Sequence, residues 1–353
     1  MKATERDLEL LANIYDNREL YQGELHDHAS TGGTSDGQRT LEHWKGAMEV
    51  QEMDFATILD HRQVRHMYLP EWDNSIFIGG TEPGSCIKTE TGENLGELHY
   101  NMIFSDPKQL EGLLEEFTEY EFTGGPEGHF RYRSFTKKRF NQLIDAVRRR
   151  GGFFVLPHPR QIPYGPENAT DWWFQDGVGI EVTYAYLDSI PTQNNYLLWL
   201  ELLQAGARMW VCAGGDYHGC ARDGALTSFY AREKNSTSFL QTLRTGDFVA
   251  GPIGIQMCIG DTAMGGNCNF DGQRLVIGIG KFHKSVRNPE HTYRIDVLDD
   301  HGIVYSQEIS CEEATYIAMD TKDCRFYRVE VHDVTRNLRI ALGNPIWNER
   351  RKQ

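Results

Sequence analysis

Residues 23–37 read GELHDHASTGGTSDG, and the pair His26 and His28 within them decides how the rest of the chain is read. An extended backbone sends positions i and i+2 to the same side, so the two imidazoles converge as a metal ion requires. Alone, an H-x-H pair more often marks two solvated loop histidines than a metal site. Its weight comes from its place at the end of 19–26, the first of seven short apolar runs. The others are 53–60, 75–82, 97–104, 152–158, 178–184 and 208–216. Between them, 40–53, 134–150, 193–205 and 236–245 carry helical patterns. The second has basic residues in its last turn and stops at Gly151 and Gly152; the third and fourth stop at Gly206 and Gly246. Short buried runs alternating with helices predict a parallel sheet or barrel covered on both faces.

From residue 251 the pattern changes to alternating runs, 274–279, 293–298 and 327–331, separated by Asp-, Asn- and Gly-containing turns and with no helix. The expected organisation is therefore an α/β unit over 1–250 followed by a small all-β domain over 251–353. Two connections are long, 83–96 and 105–134, the second containing EFTGGPEGHFRYRSF, and segments of that length are expected as lids or substrate walls.

Chemistry gathers at the ends of the runs. Asp60 and His61 end the second, Glu82 ends the third, His99 lies near the start of the fourth, His158 ends the fifth, and Asp216 and His218 follow the seventh, again two residues apart. Parallel strands of a barrel share one carboxyl rim, so these remote side chains are expected to converge. Imidazole and carboxylate without thiolate suit Zn, Mn or Fe. Asp60 reads better as an acceptor orienting a neighbouring imidazole than as a ligand.

With these residues in this order, His26-Asp27-His28, Ser35-Asp36-Gly37, Asp60-His61, Glu82, His99, His158-Pro159 and Asp216-Tyr217-His218, the chain resembles the polymerase and histidinol phosphatase (PHP) superfamily of metal-dependent hydrolases over about its first 250 residues. A looser similarity, through LRTGDFVAGP at 243–252 and the Tyr327–Val331 and Asn344–Ile346 segments, points to its CehA/McbA-like branch. The resemblance implies a distorted (β/α)7 barrel and two or three divalent metal ions. His26, His28, Glu82 and Asp216 would hold the first; Glu82, as a bridge, with His99 and His158 the second; Asp36, His61 and His218 the third. Asp36 stands where many relatives have histidine. The implied activity is a phosphoesterase in which a hydroxide bridged by the metal centre attacks the ester, with Glu82, Asp216 and His218 as the catalytic set. Arg160 and Arg62, just after His158-Pro159 and His61, are candidates to bind phosphate bidentately, weighed against surface ion pairs.

The same site would serve a carboxylic or carbamate ester, and a pocket poor in basic residues would favour that reading. An amidohydrolase barrel also begins with H-x-H but has no use for both Asp36 and Glu82. A reading from another class is a non-catalytic metal-binding scaffold whose β domain binds a carbohydrate or a partner. Trp172-Trp173, Tyr184-Ala185-Tyr186 and Glu181 are read first as packing or paired structural groups. His43, His66, His129, His283, His291, His301 and His332 fall outside the pattern.

Composition narrows the partners. Lys+Arg 36 against Asp+Glu 51 gives a net charge of -15 with no basic patch evident in the sequence, so nucleic acid and an anionic membrane are not expected, and a small-molecule ester is. The seven cysteines, Cys86, Cys212, Cys220, Cys258, Cys268, Cys311 and Cys324, are odd in number and never form C-x-x-C, which argues for a reducing, cytoplasmic location. Export with a leader already removed is the alternative.

Overall fold

The computed structural model describes residues 2–125, 127–131, 134–162, 165–219 and 224–351, so Cys220 and part of the 105–134 connection lie outside the described residues. The apolar runs form strands. In chain order these are β1 (Glu19–Asp27), β2 (Phe55–Ile58), β3 (Phe77–Thr81), a hairpin of β4 (Gly84–Lys88) and β5 (Asn94–His99), β6 (Asn101–Phe104), a two-residue β7 (Phe135–Thr136), β8 (Phe153–Leu156), β9 (Gly179–Tyr184) and β10 (Trp210–Gly214). Seven of them lie side by side in the order β10-β9-β8-β6-β3-β2-β1. The two ends of this row meet at one edge. There the Asp216 amide donates to the His26 carbonyl at 2.7 Å and the His28 amide to the Tyr217 carbonyl at 3.0 Å, flanking an Asp27–Tyr217 parallel bridge.

One strand runs against expectation. β6 pairs antiparallel with both β3 and β8. The connection explains it: after β3 the chain turns into the β4–β5 hairpin, which returns it to the edge it left, so β6 enters where its neighbours exit. The 83–96 connection is thus largely this hairpin, not an open loop. His99, at the end of β5, consequently sits at the carboxyl ends of the parallel strands although it precedes β6 in the chain.

The anticipated helices appear as α2 (Leu41–Gln51), α4 (Lys137–Arg149), α5 (Ile190–Gln204) and α6 (Ser236–Leu243), after an α1 (Glu5–Ile14) and around an α3 (Pro107–Glu116) that were not anticipated. Thr40, Thr136, Ser189 and Asn235 cap the four, each accepting from a backbone amide three residues on. α5 starts earlier than its apolar pattern because Ser189 and Pro191 together set its first turn. α3 lies in the 105–134 connection, capped by Asp106 with Pro107 next, and buries Leu110, Leu113 and Leu114.

The carboxyl-terminal third comprises β11 (Thr227–Ala231), β12 (Phe248–Ala250), β13 (Ile253–Ile259), β14 (Thr262–Ala263), β15 (Asn267–Cys268), β16 (Arg274–Phe282), β17 (Tyr293–Asp299), β18 (Gly302–Ile309), β19 (Thr315–Asp320), β20 (Phe326–Asp333), β21 (Leu338–Gly343) and β22 (Ile346–Asn348). Hydrogen bonding is continuous from β1 through β11, β12, β21, β20 and β17 to β18, while β14-β13-β16-β19 form a second layer. Between the layers Ile255, Leu275, Ile277, Val297, Val329 and Ile340 pack in one buried cluster. α1 lies across β16, where Gly278 leaves room for Leu11 and Arg274 pairs with Asp7 at 2.8 Å.

A buried polar network ties α5 to this region. Glu330, on β20, accepts from Tyr196 of α5 at 2.6 Å and from Arg339 at 3.2 Å, faces His332 Nε2 at 3.2 Å, and pairs with Arg328. The Arg339 guanidinium lies 3.3 Å from the centre of the Tyr196 ring. No helix among the described residues is long and apolar enough to cross a membrane.

Candidate metal centre

β1 and the segment after β10 build the floor of the site. The backbone bonds that join His26 to Asp216 and His28 to Tyr217 set the two i, i+2 pairs, His26/His28 and Asp216/His218, against each other. Rings of His28 and His218 stack at 4.2 Å. Asp216 and His158 hold positive φ angles of 50° and 29°, a left-handed backbone that costs non-glycine residues of order 1–3 kcal/mol and that persists where surrounding structure demands it.

Donor atoms form two quartets, within each of which they lie within 4.8 Å of one another: His26, Glu82, His158 and Asp216; and His28, Asp36, His61 and His218. Eight of the nine expected ligands are thus brought together, and the ninth, His99, places Nδ1 2.8 Å from Glu82 Oε1. The resemblance divides the same residues another way, with His28 beside His26, Glu82 and Asp216, and those four also lie close, His26 Nε2 being 3.5 Å from Asp216 Oδ1. In the quartets His28 falls with Asp36, and His26 and Asp216 with His158, while His26 Nε2 and His28 Nε2 both approach Glu82 Oε2, at 3.0 and 3.1 Å. The quartets touch: His28 Nε2 is 3.1 Å from both Glu82 Oε2 and Asp216 Oδ1.

Hydrogen bonds on the far side of each ring select the tautomer. His61 Nδ1 donates to the Glu82 carbonyl at 2.9 Å and His218 Nδ1 to the Asp216 carbonyl at 3.0 Å. In a neutral ring each then turns an Nε2 lone pair toward Asp36, at 3.5 and 3.2 Å. Lone pairs facing a carboxylate repel unless a cation lies between them, and a ligating histidine usually shows this pattern of an N–H given to a carbonyl or carboxylate. His28 Nδ1, buried and without a hydrogen-bond partner among the described residues, faces the same Asp36 at 3.9 Å, too far for a hydrogen bond. Burial holds the His61 imidazole below its usual pKa, in the neutral form that a ligand needs. The residues present therefore fit divalent ions bound by nitrogen and oxygen.

The first quartet is more strongly charged. Burial opposes ionisation of its His26 and His158, and of the neighbouring His28, but carboxylates prevail. Glu82, Glu181 and Asp216 raise His26 well above its usual value, Asp216 and Glu82 raise His28 to about 9, and Glu82 raises His158. Conversely, burial opposes but the imidazoles hold Glu82 and Asp216 below the carboxylate range. Beneath them, burial raises Glu24 and Asp27 well above that range.

Glu181 proves more than packing. Its Oε1 lies 3.1 Å from His26 Nδ1 and its Oε2 accepts the His158 amide at 2.8 Å, so one carboxylate orients both residues. The sequence allowed a paired structural carboxylate here, but its partners, on β1 and after β8, were not legible in it. Tyr184 donates to Asp216 Oδ2 at 3.0 Å, a contact sequence reading did not supply. Asp60 does not orient His61; it accepts from the Ala29 amide at 2.8 Å and from Thr31, pinning the loop after β1. Trp172 is fully buried packing, and none of the histidines set aside joins either quartet. Glu181→Gln is expected to weaken metal affinity about 10- to 100-fold, measured against a competing chelator, with an unchanged thermal melt of the metal-free protein.

A cleft of about 460 Å3 opens over the centre, walled by Glu97 and His99 on one side and by Gln161, Ile162 and Tyr184 on the other. Neither expected arginine lines it. Arg160 is exposed, its amide donating to Asn195 at 3.1 Å, and Arg62 stands half-buried with its carbonyl taken by the Phe130 amide.

No family model matches the chain, and no curated protein matches it. Among solved structures it is similar to an endonuclease Q complexed with a 27-mer duplex carrying an abasic lesion, at 11% identity and a TM-score of 0.43, covering 64% of this chain and 57% of that one. It is also similar to an amidohydrolase from Chromobacterium violaceum (15% identity, TM-score 0.36, 56% of this chain and 87% of that). A third is a protein described as a metal-dependent phosphoesterase from Bifidobacterium adolescentis (14% identity, TM-score 0.34, 58% and 90%). These scores are low, and the reading of the site rests on its own geometry.

Proposed function

We propose that the chain is a metal-dependent hydrolase of the PHP type, in its CehA/McbA-like branch, acting on a small phosphate ester. On this reading the seven-strand row is a distorted (β/α)7 barrel within residues 1–250, and residues 251–353 are a β-rich unit that extends its sheet. The observation that carries it is the pair of touching nitrogen and oxygen quartets under one cleft, with tautomers set by Glu181 and two backbone carbonyls. With His99 beside Glu82, they offer positions for two or three divalent ions. When bound, such ions supply Lewis acidity and lower the pKa of water. The chain's residues do the rest: Glu181 and Glu82 fix His26, Tyr184 holds Asp216, and the Glu97–His99 and Gln161–Ile162 walls limit the substrate to one that fits the cleft. Arg160 and Arg62 would reach a phosphate only by moving toward it.

One observation favours a carboxylic or carbamate ester instead: no lysine or arginine is among the described residues lining the cleft, while Ile162 and Tyr184 give it an apolar face. Elemental analysis followed by reconstitution with Mn2+, Zn2+ or Fe2+ and assay on p-nitrophenyl phosphate, bis(p-nitrophenyl) phosphate and an aryl acetate separates the readings. Phosphate ester turnover supports the first and acetate turnover the second. Stoichiometric metal with no turnover of any of the three refutes both.

A further inference from the structure

At the end of the strands opposite the metal quartets lies a second pocket, of about 370 Å3. Phe153 and Trp210, in its wall, open β8 and β10, the strands whose far ends lead to His158 and Asp216. The facing wall comes from the carboxyl-terminal third, through Trp347 of β22 and Asn267 of β15.

Three guanidiniums, Arg148, Arg208 and Arg244, line this pocket against one carboxylate, Asp176. Each donates only to neutral acceptors among the described residues. Arg148 binds Gln175 Oε1 at 3.0 Å and the Asp176 carbonyl, Arg208 binds Asn267 Oδ1 at 2.5 Å, and Arg244 binds the Arg148 carbonyl at 3.0 Å. The Asp176 carboxylate is engaged by the Trp173 indole at 3.2 Å and the Arg208 amide at 3.1 Å. Burial pushes Arg148 down, with Asp145 and Asp176 only partly opposing it. Such a cation has lost hydration without gaining a carboxylate partner, which costs free energy that a bound anion would recover. In a chain of net charge -15, three cations gathered in one concave place are a local reversal of sign.

The forked geometry of guanidinium matches phosphate oxygens in pairs. Two indoles share the pocket: Trp210, held by its Nε1 bond to the Gly265 carbonyl at 3.3 Å, and Trp347, and such rings favour an aromatic ligand face. We propose that this pocket binds a small polyanion bearing an aromatic ring, of the nucleoside di- or triphosphate class, at a site separate from the metal centre. The proposal does not depend on the hydrolase reading.

The test uses the full chain freed of metal and kept in EDTA, so that the metal centre cannot capture phosphate. ATP, inorganic pyrophosphate and adenosine are titrated while tryptophan fluorescence is followed. ATP is expected to bind saturably, pyrophosphate to compete more weakly, and adenosine to bind at least tenfold more weakly than ATP. Arg244→Gln, at an exposed position that folding tolerates, and Arg208→Gln are each expected to weaken ATP about 10- to 100-fold. His26→Ala, at the opposite end, should leave ATP affinity unchanged. Absence of saturable binding at millimolar ATP overturns the proposal. So do an affinity that neither arginine substitution alters, one abolished by His26→Ala, and adenosine binding as tightly as ATP. Pyrophosphate binding as tightly as ATP overturns the role given to the indoles.

Discussion

Glu82→Gln is expected to lower kcat/KM of the metal-loaded protein by roughly two to four orders of magnitude and to reduce bound metal. Glu82 is only 1% exposed, and its two oxygens face His26 at 3.0 Å, His28 at 3.1 Å, His99 at 2.8 Å and His158 at 3.0 Å. No other side chain touches both quartets so fully. The amide has the same shape, so packing survives, but it removes one negative charge from a place where three buried imidazoles meet. Truncating one partner of a buried ionic cluster costs about 3–5 kcal/mol, and each 1.36 kcal/mol is about a factor of ten. Metal stoichiometry and steady-state kinetics measured together check this. Wild-type activity and metal content in the variant would remove Glu82 from the centre.

Glu330→Gln should have the largest effect on stability, about 3–5 kcal/mol, with activity per folded molecule unchanged. Glu330 and Arg328 are each 4% exposed, and the same carboxylate also serves Tyr196, Arg339 and His332. The amide leaves Arg328 as a buried cation without its counter-charge. The network also predicts acid sensitivity. Burial raises the Glu330 carboxyl, but His332, Arg328, Arg339 and Tyr196 outweigh it and hold the group far below its ordinary value. A depressed folded-state value stabilises the protein above the unfolded carboxyl range, near pH 4.5, and the stabilisation is lost as pH falls below that range. Urea midpoints at pH 7 and pH 4 should therefore differ for the wild type by more than for Glu330→Gln. Equal midpoints of the two proteins at pH 7 would contradict the account.

The ligands were legible because strand ends carry them in short patterns: H-x-H at 26–28, D-x-H at 216–218, and single residues closing the runs at Glu82 and His158. Strand direction was not, since an apolar run reads alike both ways, and β6 reverses only because of a hairpin that lay inside an interval read as loop. Helix α3 did carry a signal, Asp106 before Pro107 and leucines at 110, 113 and 114, which Gly112 and the surrounding length obscured. Similarly, α1 begins with a Thr4/Asp7 capping box. How the donors partition around Glu82, and what Glu181 and Asp60 bind, depend on distances between elements far apart in the chain. Periodicity holds no record of those.

The continuity of the main sheet bears on how the protein is made. On a ribosome the strands that carry the ligands emerge first, yet β12, which ends at Ala250, meets its outer neighbour only when Leu342 and Gly343 pair with it. For about ninety residues of synthesis the nascent sheet keeps a bare edge, the condition under which strands recruit wrong partners. The strands that seal that edge arrive among the last, in β20 and β21. Long-range pairing of this kind slows folding. Chaperone demand and yield in cells should therefore depend on a part of the chain that touches no metal ligand.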